Sequence, residues 1–344
     1  VGPESAGADP GPASYARRGT EPAVTDADVL LGLLDPAAFL GGDMPLDAGL
    51  AEEAVAGVAD GLGLAPLDTA AGIHEVVNQN MADAARMHGV EMGVDLRGVT
   101  LIAFGGAGPV HACGVADLLE SDRVIFPVNA SVLSAFGTLV SPVRIDLARS
   151  LPRLIDDVDP VERDALLDDL REEGRRVLLA AGVAAGAVRF RYGIDARYAG
   201  QGNEITVWVG EGDAWPADPE TVRTAFEEEY RRIYGMTIPD VAIEAVTWRL
   251  SAVAAATDVE PDASLGAGGA ATPVATRPMV FARGVAPVEA PVYRRADLGA
   301  GATFEGPAVV EERETTSVIR PGWSVEVGPV GSLIATRHTP GGRP

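Results

Sequence analysis

The 344-residue chain contains no lysine; all 27 of its basic residues are arginine. A Walker A phosphate loop closes on a lysine, and a pyridoxal-phosphate or other Schiff-base enzyme needs an amine, so both chemistries are excluded for this chain. Cys113 is the single cysteine, which rules out an internal disulfide framework and any cysteine-rich zinc site. No run of 18 apolar residues occurs, so no membrane-spanning helix is expected. The opening VGPESAGADPGP has neither a charged n-region nor an apolar h-region, so no signal peptide is visible there, and a cytoplasmic location is expected. Positive charge is scarce as well. The net charge of −23 disfavours a nucleic-acid or anionic-membrane surface. Only four histidines are present and none lies close to Ser134 along the sequence, so no Ser-His-Asp spacing supports a serine nucleophile.

A length of 344 residues is enough for two or three domains with a large core, and an apolar content of 47% is that of a chain that folds. The organising stretch is TLIAFGGAGPVHACGVADLLE, Thr100 to Glu120. A short apolar run, Leu101 to Phe104, leads into the turn Gly105, Gly106, Ala107, Gly108 and Pro109. A small-residue helix follows from about Val110 to Leu119, then a second apolar run from Val124 to Val128. This is a strand–glycine loop–helix–strand unit, the crossover that joins parallel strands. Glycine permits positive φ and close approach of a ligand to bare N–H groups. Proline suits the start of a helix, whose free N–H groups and partial positive charge attract an anion or a polar ligand edge. Geometry alone leaves a binding loop and a plain tight turn both open.

Elsewhere the periodicity predicts helices over 29–34 (capped by Thr25 or Asp26), 46–62 and 70–93, the last burying Ile73, Val77, Met81, Ala84 and His88. His74 and His88 share no stripe with a carboxylate pair and read as packing or surface residues. Ser131, Ser134 and Thr138, amid Leu133, Phe136 and Leu139, describe close helix packing as well as a site. Composition shifts near residue 150. Helices are predicted over 161–183 and 219–234, and strands over 188–198, 204–209 and 242–254, an α+β layer spanning 151–255. Residues 256–278 read as a Gly/Ala/Pro-rich connector, 279–344 as a β-rich module, and the tail from His338 as disordered.

The opening loop VGPESAGADPGPASYARRGTEPAVTDADVLLGLLDP, then LIAFGGAGPVHA, VLSAFGTLVSPVRID, DARYAGQGNEITV, FEEEYRRIYG, and FEGPAVVEE with TTSVIRPGW resemble the A subunit of the hydantoinase/5-oxoprolinase family, whose relatives include an acetone carboxylase subunit. The resemblance runs along nearly the whole chain. It implies an α/β fold, the C-terminal half of an actin-like ATPase (residues 1–150) followed by the α+β and β-rich modules. It implies ATP and Mg as cofactors: ATP phosphorylates a lactam or cyclic imide oxygen, and ring opening follows with a B-type subunit in an oligomer. Gly105, Gly106, Ala107, Gly108 and Pro109 match the family's adenosine turn, and His111 the histidine just after it. Asp26 in VTDAD is a candidate site carboxylate, with a helix-capping aspartate as the alternative. The family's two phosphate loops are absent, so the chain is expected to be the C-terminal half of a longer protein, with no metal ligand of its own. Ser14 stands where the family has cysteine, Ala16 and Arg18 where it has glycine, and Ile145 where it has histidine. Two other functions share these motifs: an ATP-dependent carboxylase subunit of the acetone carboxylase type, and a non-catalytic assembly fragment.

Overall fold

Asp26 sets the first helix. It occupies the third position of α1 (Val24–Leu30) and is fully buried. Its Oδ2 accepts the N–H groups of Ala23 (2.7 Å) and Ala13 (3.1 Å), and its Oδ1 that of Ser14 (2.8 Å). One carboxylate thus ties the opening loop to the helix start. The N-cap is Ala23, so the helix begins five residues before the sequence placed it, and Asp26 acts from inside the first turn rather than as the cap. The computed structural model describes residues 4–254 and 270–338.

Two more helices follow. Asp47 caps α2 (Ala48–Leu62), accepting from the Leu50 N–H at 3.1 Å. Pro66 opens α3 (Pro66–Glu91), where its fixed φ and missing N–H cost nothing. Next come β1 (Leu101–Ile102), α4 (Gly108–Leu119), β2 (Arg123–Phe126) and α5 (Leu133–Val140). β1 and β2 pair in parallel, Leu101 opposite Val124, as the crossover required. The chain continues through β3 (Arg144–Leu154), α6 (Pro160–Ala180), β4 (Val188–Tyr198), β5 (Ile205–Glu211), α7 (Pro219–Tyr234) and β6 (Ile243–Ala254). Seven short strands complete it: β7 (Ala275–Met279), β8 (Val288–Arg294), β9 (Thr303–Glu305), β10 (Ala308–Glu311), β11 (Thr316–Ile319), β12 (Trp323–Val327) and β13 (Leu333–Arg337). Among the described residues no helix is long and apolar enough to cross a membrane.

These elements form two units, Val1–Phe136 with Glu260–Pro344, and Gly137–Val259. In the first, β13 pairs antiparallel with β2, giving a sheet of order β1-β2-β13-β12-β9. A second sheet, β11-β10-β8-β7, carries Met279, Val309 and Val318 into a core with Ala27, Leu31 and Ala71. The segment read as a β-rich module thus supplies β9, β12 and β13 to the sheet opened by β1 and β2, and β8, β10 and β11 to the second sheet. The reason is physical: a two-residue and a four-residue strand leave β2 with an open edge, and isolated pairs are marginal in water. In the second unit the antiparallel sheet β3-β6-β4-β5 packs Tyr192, Ile194, Tyr198 and Leu250 against Leu167 and Leu170 of α6 and Phe226 of α7. β3 carries no sequence signal, because its side chains are exposed or half-buried; the ladder to β6, Arg144 opposite Val253 onward, is what fixes it. The proposed connector lies partly outside the described residues, and β7 starts within it; the tail beyond His338 lies outside them altogether.

Ala16 (φ 54°) and Arg18 (φ 75°) both occupy the left-handed region. These are the two positions at which the resemblance expects glycine. A Cβ there is unfavourable by about 1–2 kcal/mol, partly offset by the unfolded-chain freedom that glycine restores. Arg18→Gly is therefore expected to stabilise the protein by about 0.5–1 kcal/mol, read as a rise in Tm; a fall would show that contacts of the exposed Arg18 side chain outweigh its backbone strain.

Candidate functional site

The glycine turn between β1 and α4 lies at the surface, with Gly106 and Ala107 exposed and the flanking Ile102 and Phe104 more than half exposed. It is held from behind. The Gly105 N–H donates to the Ala130 carbonyl at 2.8 Å, and the Thr315 hydroxyl donates to the Gly106 carbonyl at 2.9 Å. Gly105 needs to be glycine for its backbone, with φ at +92°. Gly106 and Gly108 have no such need: a Cβ on Gly106 would approach only the Glu314 carbonyl oxygen, at 3.6 Å, and one on Gly108 would meet nothing within 4 Å. Ala107 is the N-cap of α4, and no side chain caps that helix start. The turn thus offers an uncapped helix N-terminus with open space in front of it.

Behind the turn sits a buried polar cluster. Asp28 on α1, His74 and Asn78 on α3, and His111 on α4 are each at most 9% exposed. His74 Nδ1 is 2.7 Å from Asp28 Oδ1, His111 Nε2 is 3.6 Å from Asp28 Oδ2, and His111 Nδ1 is 2.9 Å from Asn78 Oδ1. The two imidazoles stack, centroids 4.6 Å apart. Burial pushes His111 down to about 4, against the pull of Asp28, so its ring is neutral near pH 7. The ligating atoms of Asp28, His74 and His111 all lie within 4.8 Å of one another, close enough to hold one metal ion.

The buried face of α3 therefore differs from the one its apolar residues suggested. Ala71, His74, Asn78 and Ala82 point inward, whereas Ala84 and His88 are exposed. The stripe is rotated by one position because its polar members find partners on α1 and α4. His111, matched to the histidine just after the adenosine turn, has its ring in this cluster. Asp26 keeps its oxygens on backbone N–H groups. Asp28 and Asn78 are additions; the His74–Asn78 spacing of four, which places both on one helix face, was the available signal. Ser131 Oγ lies 3.4 Å from Glu314 Oε2. Ser14 is fully buried, and its Oγ has no partner among the described residues.

Cys113 lies two residues beyond His111 on α4, fully buried beside Arg320 and Asp117, and burial pushes its thiol up to about 12. A thiol so protonated is a poor nucleophile. In the folded protein at neutral pH it is expected to resist iodoacetamide and to react only with denaturant present; rapid native labelling would contradict this burial. A separate cavity of about 780 Å³ is lined by Asp35, Arg277, Arg295, Glu312 and Arg313 among others. Burial lowers Arg295 and raises Glu312.

The family model described as hydantoinase/oxoprolinase matches residues 1–147, and that of the hydantoinase/oxoprolinase C-terminal domain matches residues 162–329. The chain is 33% identical to the caprolactamase subunit alpha of Pseudomonas jessenii, over 98% of this chain and 49% of the relative. It is 29% identical to the acetophenone carboxylase gamma subunit of Aromatoleum aromaticum, over 97% and 47% respectively. Among solved structures, nucleotide-free acetone carboxylase, from a study of ATP-dependent acetone carboxylation, superposes with a TM-score of 0.81 at 25% identity, over 98% of this chain and 49% of that one. The crystal structure of the ATP-dependent caprolactamase gives 0.75 at 33%, over 98% and 50%. The chain thus spans about half the length of each.

Proposed function

The chain belongs to the hydantoinase/oxoprolinase family, and from that premise we propose that it is part of an A-type subunit that opens a cyclic amide at the expense of ATP. The supporting observation is the turn itself. Gly106 and Gly108 answer no demand of this chain's own packing, which is the pattern expected where a ligand takes the space a Cβ would fill. On this reading Gly105 to Pro109 cradle the adenosine end of ATP. His111 supports the turn from within α4, through Asn78 and Asp28, rather than by touching the nucleotide. ATP, when bound, supplies a phosphoryl group that makes an amide oxygen a leaving group and its carbon open to water. The phosphates and Mg²⁺ fall to segments outside this sequence, and a B-type subunit completes the assembly.

The test is phosphate release by the intact protein with its partner, supplied with ATP, Mg²⁺ and, in turn, hydantoin, 5-oxoproline and caprolactam. Amide-dependent release with ring-opened product is expected. A second reading is an ATP-dependent carboxylase subunit, favoured by the higher TM-score to acetone carboxylase. Phosphate release that requires a ketone and bicarbonate, with no response to any cyclic amide, would replace the first reading with the second.

A further inference from the structure

The buried cluster behind the turn contains an electrostatic mismatch. A carbonyl oxygen can only accept, so Asn78 Oδ1 at 2.9 Å places the proton of His111 on Nδ1. The lone pair of His111 Nε2 then faces Asp28 Oδ2 across 3.6 Å, two acceptors with no hydrogen between them. Both groups are buried, at 4% and 3% exposure, so bulk water does not screen the repulsion. A cation between them removes it.

We propose that Asp28, His74 and His111 bind one first-row divalent transition metal, zinc foremost, through Asp28 Oδ2, His74 Nδ1 and His111 Nε2. Two imidazoles and a carboxylate are the donor set that zinc and iron(II) take while keeping a position open. Ligands about 2.1 Å from a tetrahedral metal stand about 3.4 Å apart; the 3.6 Å gap between Asp28 and His111 matches that spacing. The 2.7 Å contact of His74 with Asp28 is a hydrogen bond whose proton shifts from Nδ1 to Nε2 of the same ring when the metal enters. Asn78 holds the far nitrogen of His111, the outer-shell contact that fixes tautomer and ring direction in metal sites. The ligands come from α1, α3 and α4, so the ion ties three helices together directly under the glycine turn. Small residues make room for this convergence: a Cβ on Gly114 of α4 would lie 2.5 Å from Asn78 Nδ2.

A hydrogen-bonded cluster without metal has one consistent alternative, in which the Asn78 amide is turned over and His111 Nε2–H donates to Asp28. Asn78→Asp separates the two, because a carboxylate offers only acceptors and holds the proton on His111 Nδ1. The experiment takes the intact protein, strips it with a chelator and titrates it with Co²⁺, reading visible absorption, metal per chain by elemental analysis, and the Tm shift on adding Zn²⁺. Nucleotide and amide turnover are not read, so the outcome stands apart from the proposed activity. Expected results are one equivalent bound by the wild type and by Asn78→Asp, affinity lower by 10- to 100-fold in Asn78→Ala, and loss of that equivalent in His111→Gln and His74→Gln. Equal metal content and the same Co²⁺ spectrum in the wild type and His111→Gln would overturn the site, as would a wild type that binds no Co²⁺ while fully folded.

Discussion

Gly106→Val is expected to abolish ATP binding in the intact protein while leaving its fold in place. The two halves of that expectation come from one observation. A Cβ at residue 106 approaches only the Glu314 carbonyl oxygen, at 3.6 Å, an ordinary contact that needs no rearrangement. The backbone of Gly106 is outside the positive-φ region, so a branched residue adds no strain of the kind it would add at Gly105. The new methyl groups therefore project into the open side of the turn, where the proposed adenosine lies. A loss of at least about 100-fold in affinity, near 2.7 kcal/mol, is expected by calorimetry, with Tm close to the wild-type value. Gly105→Val is the contrasting control: at φ +92° it should lower stability as well as binding. Unchanged ATP affinity in Gly106→Val would remove the adenosine assignment and leave the turn as a device for chain reversal alone.

The sequence made the crossover legible because its signals are local. An apolar run, three glycines, a proline and a small-residue helix lie within 21 consecutive residues, and each has a short-range cause. The long helices and the strands β4 and β6 were legible by periodicity for the same reason. Three features were not. β3 has side chains that face water on much of its length, so only its partner β6 defines it. The pairing of β13 with β2 joins Leu333 to Phe126, a contact between distant residues that no local pattern announces. The buried face of α3 was misread by one position because His74 and Asn78 count as polar in any periodicity, yet lie inside once Asp28 and His111 satisfy them. The resemblance supplied what periodicity could not at Ala16 and Arg18, where it expects glycine and the backbone has positive φ.

Asp26→Ala is expected to be the most destabilising single truncation in the opening loop. Its carboxylate is wholly buried and accepts three backbone N–H groups, from Ala13, Ser14 and Ala23. Two of these donors belong to a short helical turn ten and more residues upstream, so the side chain does the work that a ladder does elsewhere. Alanine leaves those donors without the acceptor, two of them at fully buried residues, and hydrogen bonds to a charged acceptor are the stronger kind. The cost is about 3–5 kcal/mol, read as a fall in Tm of roughly 10 °C. Asp26→Asn keeps one carbonyl oxygen but turns an NH₂ group toward a donor, so it should fall between wild type and alanine. The same pair of variants decides what the carboxylate is for. A structural Asp26 moves stability and activity together, with Asp26→Asn intermediate in both. If Asp26→Ala instead keeps the wild-type Tm and loses substrate-dependent phosphate release, the carboxylate acts on the reacting groups and its bonds to the backbone only aim it.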